Sequence, residues 1–267
     1  MPTTAILRMR ALDGGRPARA LHGLFHPALL ERLRAVDSGL SARVHDGAAP
    51  GAFSLSPIMN LPKTMDEGAS CWVRVGLLNP EMEDAFVSTL EAGHWREPVT
   101  LGDHRFQVTH VALGPEDGEP WSGRADLEEL INNTPSVDGA EVKIASPLAF
   151  KRGDLHHPLP EPELFFGNLL RRWNEALPVP LPRQLDWNAV GVSRLELRSE
   201  RFSLRRGGTV VGCKGRIGFV FRGDPAQKYL FHLLLRFAFF AGVGVKTAQG
   251  MGMCRLLPRE KRHGRRR

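Results

Sequence analysis

The chain opens with alternating apolar and polar side chains, Ala5-Ile6-Leu7-Arg8-Met9-Arg10, the period-two pattern of a strand with one buried face. From Pro27 to Val36 the period lengthens: Leu29, Leu30 and Leu33 fall at helical spacing, and Pro27 suits a first turn. Phe53 to Met59 and Cys71 to Leu77 read as strands, Asn79 to Ala92 as a helix and Phe106 to Leu113 as a strand. The order is βαββαβ, that of the ferredoxin-like unit. A polar stretch, Gly114 to Gly139, interrupts the pattern with one short helical run at Asp126 to Ile131, and reads as a linker with a boundary near residue 136. The pattern then returns: a strand at Ala140 to Phe150, a helix at Glu163 to Ala176, strands at Val190 to Leu197 and Thr209 to Phe221, a helix at Asp224 to Phe240, and a strand near Met251 to Leu257. The expected fold is α+β, two tandem ferredoxin-like βαββαβ domains over residues 1–136 and 137–267. No repeat in the residues accompanies it, so the duplication rests on element order alone.

A chain of 267 residues is long enough for two such cores. Lys and Arg number 36 against 29 acidic residues, a net charge of +7 that favours a polyanionic partner, nucleic acid first. Part of the excess lies in the last residues, Arg259 to Arg267, which also read as a solvated tail. Cys71, Cys213 and Cys254 are far apart in apolar stretches, with neither metal-ligand spacing nor a disulfide framework, so a reducing cytoplasm is the expected home. The longest apolar stretch, Tyr229 to Val245, holds His232 and Arg236 and is too short and polar to span a bilayer.

The strongest local signal lies between the last helix and the last strand. Gly242, Gly244, Gly250 and Gly252 surround Lys246, Thr247 and Gln249 in a loop whose bare backbone N–H groups could approach phosphates. It follows a helix and feeds a strand, the reverse of a dinucleotide fingerprint, and it lacks the Gly-Lys-Ser/Thr of a P-loop. The alternative is a tight connection whose glycines serve only the turn.

Written Gly-x-Gly-x5-Gly-x-Gly, this loop resembles the C-terminal signature of the CRISPR repeat-processing endoribonucleases, within the repeat-associated RNA-binding superfamily. Leu21 to His26, Val44-His45-Asp46 followed by Phe53 to Ser56, and Ser146 to Phe150 leading to Pro158-Leu159-Pro160 and Leu170 to Asn174 resemble family segments in the same order. The resemblance implies tandem RRM-like domains that bind the repeat hairpin of precursor CRISPR RNA and cut it once without a metal or cofactor. It implies attack by the 2′-hydroxyl beside the scissile phosphate, leaving a 2′,3′-cyclic phosphate and a 5′-hydroxyl. No direct DNA contact and no membrane are expected; other subunits of a CRISPR effector complex are further partners. A non-catalytic RNA-binding subunit of such a complex is the alternative, and an enzyme acting on a small phosphate metabolite a more distant one.

Such a cut needs a base, an acid and positive charge near the phosphate, and histidine, with an ordinary pKa of about 6.5, suits both proton transfers. His45 matches the family's catalytic histidine and is expected as general base; His26 lies where some members carry a catalytic tyrosine and is expected as acid or cation, with His22 its competitor. Some members place a lysine where this chain has Gly51 and Ala52, so Lys246 or Arg43 must supply the charge. Expected RNA-binding residues are Lys151, Arg152, Lys214, Arg216, Gly242, Gly244, Lys246, Thr247, Gln249, Gly250, Gly252 and Arg255. Lys214 and Arg216 alternate on one strand and so share a sheet face, though they could equally keep a half-exposed strand soluble.

Overall fold

The structure, a computed structural model, describes residues 1–46, 51–134, 137–182, 185–205 and 207–258. The boundary expected near residue 136 and the basic run from 259 to 267 lie outside the described residues.

The first half runs β1 (Thr3–Ala11), a 3-10 turn (Arg19–Leu24), α1 (Phe25–Val36), α2 (Ser38–His45), β2 (Phe53–Leu55), β3 (Ser70–Leu77), α3 (Pro80–Glu91), β4 (Val99–Leu101) and β5 (His104–Ala112). Its antiparallel sheet has the order β2-β3-β1-β5-β4. Without the small β4 hairpin this is the strand order of a ferredoxin-like βαββαβ unit. A short strand, β6 (Gly123–Arg124), returns to pair with Thr3 and Thr4 of β1, and α4 (Leu127–Asn132) follows.

The second half comprises β7 (Gly139–Leu148), a hairpin of β8 (Phe150–Arg152) and β9 (Leu155–His157), α5 (Pro162–Ala176), β10 (Val190–Ser203), β11 (Thr209–Phe221), α6 (Pro225–Ala241) and β12 (Cys254–Leu256). Its sheet order, β10-β11-β7-β12, repeats the first. The fold is a tandem pair of ferredoxin-like units. The helix starts are those the sequence signalled: Asn79 Oδ1 accepts the N–H of Met82 at 2.9 Å, Asp224 Oδ1 that of Ala226 at 2.8 Å, and a proline follows each cap.

Several elements differ from expectation. α2 and β4 carry too little periodicity to be read, being eight and three residues long. The strand expected from Phe53 to Met59 ends at Leu55; Ser56 still bonds Arg74 of β3 through its N–H and its hydroxyl, Pro57 breaks the ladder, and Met59 bridges to Trp72. β10 runs six residues past Leu197 because β11 pairs with it along its whole length, and the polar run Arg198 to Arg201 hid that extension.

Each sheet buries one face against its own helices. Leu7, Val73, Val75 and Phe106 belong to the first core, Phe165, Trp173, Ile217 and Phe231 to the second. The opposite face of the first sheet is covered as well, because α6 lies against it: Ser54 Oγ donates to the Phe240 carbonyl at 2.7 Å, and a Cβ on Gly76 would stand 2.3 Å from that oxygen. Thus α6 is apolar on nearly every side because it is buried between two sheets; no helix among the described residues is long and apolar enough to cross a membrane.

A four-layer stack joins the halves. The Arg255 guanidinium lies 4.7 Å over Trp121, Trp121 is parallel to Phe239 within 8°, and Arg74 lies 4.8 Å over Phe239 from the other side. Arg74 is buried, its Nε and Nη2 have no hydrogen-bond partner, and burial pulls its pKa down to about 10. Replacing a buried, unmatched charge with an apolar side chain of similar length removes a desolvation cost. Arg74→Met is therefore expected to leave urea stability equal or higher, whereas Arg74→Ala, which opens a cavity, should lower it by about 2 kcal/mol or more.

Candidate active site

His26 is the second residue of α1. The preceding Phe25 is fully buried and stacks on Trp95 at 6.0 Å, which pins the start of the helix. His26, half-buried, lies instead against Phe53, ring to ring at 5.5 Å. His45 closes α2. That helix is capped by Asp37, whose Oδ1 accepts the Leu40 N–H at 2.8 Å, and is fastened to α1 by Ser41 Oγ donating to the Leu30 carbonyl at 3.1 Å. The two helices make a corner that brings the last residue of α2 back to the first turn of α1.

Both histidines line one cleft of about 310 Å³, with Lys246 and Gln249 from the glycine loop and Arg205 from the β10–β11 turn. The pKa of His26 is held below its ordinary value, first by burial and then by the neighbouring positive charge of Arg205 and by His45. His22 is elsewhere: its Nδ1 accepts the Ile58 N–H at 3.1 Å, and it faces a second cleft of about 520 Å³ with Lys214 and Glu200. The structure thus pairs His26, not His22, with His45.

The glycine loop is held by close backbone approach. A Cβ on Gly252 would lie 1.8 Å from the Val243 carbonyl oxygen, on Gly244 2.3 Å from that of Ala149, and on Gly250 2.9 Å from the Pro57 nitrogen. The N–H of Gly242 donates to Ala238, that of Gly244 to Asn168 Oδ1 at 2.8 Å, and that of Gly252 to Pro147 at 2.9 Å. This corrects the expectation of a cradle of bare amides at these three positions, since their donors are already used inside the protein. Thr247 is also occupied: buried, it accepts a hydrogen bond from Arg172 Nη1 at 2.7 Å, and Arg172 Nη2 reaches the Phe53 carbonyl at 3.5 Å, fastening the loop to β2. What remains directed at the cleft is Lys246, in a left-handed backbone conformation at φ 57°, and Gln249.

The family model of the CRISPR-associated endoribonuclease Cas6 matches residues 142–254. A Thermus thermophilus Cas6 (TTHB231) in a product complex is 25% identical, superposes with a TM-score of 0.82, and is matched over 96% of this chain and 100% of its own. A second Cas6 (TTHA0078), also in a product complex, is 28% identical with a TM-score of 0.73 over 96% and 100% of the two chains. The chain thus resembles Cas6 in sequence over its second half and in fold throughout. It is an RNA-cleaving enzyme of CRISPR RNA processing. A RAMP protein described as binding different RNA substrates, 14% identical with a TM-score of 0.65 over 96% and 100%, shares the fold. Comparison with the curated proteins brings no match.

In this chain the remaining basic residues spread over both halves. Lys151 is exposed on β8 and lines, with Lys246 and Arg171, a groove of about 910 Å³ beside the histidine cleft. Arg152, its neighbour, stands 3.4 Å from Glu161. Lys214 pairs with Glu200 at 3.5 Å. Arg216 is opposite Lys143, which is opposite Arg255, so three cations form one cross-strand row over β11, β7 and β12. Arg43, expected as a source of charge, is bound to Glu81 instead. Among the described residues no three His, Cys, Asp or Glu side chains gather closely enough to hold a metal ion. Arg205 and Arg172 were missed from the sequence. The signal for Arg205 was an arginine pair beside Gly207-Gly208 in a hairpin turn; Arg172 lay inside the family-like segment Leu170 to Asn174, but nothing there marked it as the residue that holds the loop.

Proposed function

We propose that this protein binds the repeat hairpin of precursor CRISPR RNA and cuts it once, without a metal, by attack of a 2′-hydroxyl on the adjacent phosphate. The observation that carries this reading is the shared cleft: two histidines from the first half (residues 1–136) meet the cationic loop of the second (residues 137–267). In the cut, the O2′–P bond forms as the P–O5′ bond breaks, leaving a 2′,3′-cyclic phosphate and a 5′-hydroxyl. One group takes the 2′-hydroxyl proton and another gives a proton to the departing O5′. His26 is the base, because burial, neighbouring positive charge and the N-terminal end of α1 all favour its neutral ring. His45, more exposed and at the carbonyl end of α2, is the acid. These roles are the reverse of those expected from the resemblance.

The related Cas6 structures include a product complex and a substrate-mimic complex, which supports repeat RNA as the ligand here. Lys151 and Lys246 beside the cleft, and the Arg216–Lys143–Arg255 row across the second sheet, offer phosphate contacts for the stem and its flank. The glycines of the loop serve RNA binding through its shape.

The test is cleavage of the chain's own repeat RNA in EDTA, beside the same RNA with a 2′-deoxy nucleotide at the cut. A single cut, lost with the deoxy RNA, is expected; a cut that survives the deoxy substitution overturns the mechanism. The pH profile carries a further expectation. A base must be neutral to act, so the rate is lost as pH falls through the lowered pKa of His26, and the midpoint of that acid limb is expected below about 6.5.

A further inference from the structure

The phosphorane formed during the cut gathers negative charge on its non-bridging oxygens, and a cation held against them lowers the barrier. With Arg43 bound to Glu81, the cleft offers Lys246 and one further cation that the sequence did not indicate. We propose that Arg205, at the tip of the β10–β11 hairpin, is a catalytic residue that contacts the scissile phosphate and stabilises the phosphorane. The proposal rests on the 2′-hydroxyl mechanism above and adds a residue to it.

The hairpin is built to deliver this side chain. β11 pairs with β7 only as far as Cys213, so Thr209 to Gly212 and the facing end of β10 overhang their own sheet and reach the first half. There Arg205 meets Gly23, in the 3-10 turn that leads into His26. A Cβ at position 23 would stand 3.4 Å from Arg205 Cβ and 3.6 Å from its backbone nitrogen, ordinary van der Waals distances, so the tip lies directly against the turn that leads into the histidine. Behind the tip, Leu204 packs on a small cluster of Ala149, Phe202, Val210 and Met251. Met251 belongs to the glycine loop, so the hairpin that carries Arg205 packs on the loop that carries Lys246.

The charge of Arg205 is also unmatched. Lower on the same hairpin, Arg194 is paired with Glu141 and Glu196, and Arg198 with Glu200. Arg205 has no carboxylate in an ion pair among the described residues and lies close enough to His26 to depress its pKa. The groups facing His26 are Arg205 from the hairpin, His45 from α2, Lys246 and Gln249 from the glycine loop, and the Phe53 ring from β2. An exposed guanidinium without a counter-ion, beside a base and an acid, is complementary to a phosphate.

The experiment is the single-turnover cleavage rate against pH for wild type, Arg205→Ala and Arg205→Lys, with affinity measured separately on the uncleavable 2′-deoxy RNA. Arg205→Ala is expected to lose about a hundredfold or more in rate. Its affinity should change by less than about tenfold, since a single phosphate contact contributes little to total binding. The acid limb should move up towards about 6.5 as the positive neighbour of His26 is removed, and Arg205→Lys should restore part of the rate and return the limb towards its wild-type position. An unchanged rate and pH limb in Arg205→Ala, or a loss confined to affinity, would overturn the proposal while the wild-type cut stands. A wild type that cuts the 2′-deoxy RNA would overturn the underlying mechanism, and this role with it.

Discussion

His26→Ala and His45→Ala are each expected to slow the single-turnover cut by about a hundredfold to ten-thousandfold, the range spanned by positioned general acids and bases. The two side chains share one cleft, and each carries one of the two proton transfers of the same cut. The double variant should therefore lose little more than the worse single variant, because neither group helps much once the other is gone. Folding should survive both changes: His45 is exposed, and His26 makes no hydrogen bond among the described residues, only its ring contact with Phe53. Far-UV dichroism and melting temperature separate a chemical loss from a structural one, and unchanged affinity for 2′-deoxy RNA separates it from a binding loss. If neither substitution lowers the rate by tenfold while wild type cuts, the two-histidine site is wrong. If His22→Ala alone is silent, the separation of the two clefts is supported.

The second large effect is structural. Gly252→Ala is expected to cost about 3 kcal/mol or more, which for a chain of this size lowers the melting temperature by roughly 6–12 °C. Position 252 has φ 74°, and the added Cβ would stand 1.8 Å from the Val243 carbonyl oxygen. That neighbour is backbone, so no side chain can rotate away. Relief requires breaking the bond from the Val243 N–H to the Gly252 carbonyl, or that from the Gly252 N–H to Pro147, both at 2.9 Å. Gly68→Ala is the matched control: φ is 87°, but nothing lies within 4 Å of the new Cβ, so only backbone strain of about 1 kcal/mol is expected. Equal melting temperatures for the two variants would mean that the glycine loop is not held by close approach. Cleavage by Gly252→Ala should fall further than its stability alone explains, because Lys246 and Gln249 hang from the displaced loop.

The architecture was legible where the pattern was long. β1, α3, α5, β11 and α6 were read to within a few residues, because each has enough turns or alternations to show its period and three of them start at a Pro or an Asn/Asp cap. The duplicated fold emerged from element order, without any likeness between the residues of the halves. Short elements were lost: α2, β4 and the β8–β9 hairpin owe their form to what they pack or pair with. Among site residues, His26, His45, Lys246 and Gln249 do come together. Thr247, chosen on residue type, is turned inward to Arg172, and Arg43 to Glu81. A sequence shows that a group can donate or carry charge, not whether a partner already holds it.

From its sequence alone this protein showed a resemblance to a family, a pair of α+β units, an excess of positive charge and the residue types that the proposed RNA cut requires, because periodicity, composition and motif spacing are local or additive properties of the chain. Only the tertiary structure decided which histidine joins His45, which cations are free and which are spent, and that a hairpin of the second half supplies the arginine facing a histidine of the first. Those outcomes bring together residues about 180 to 220 positions apart, Arg205 with the first helix and Lys246 with the same cleft. Burial and partnering set the chemistry of such groups, and neither can be read until the chain has closed on itself.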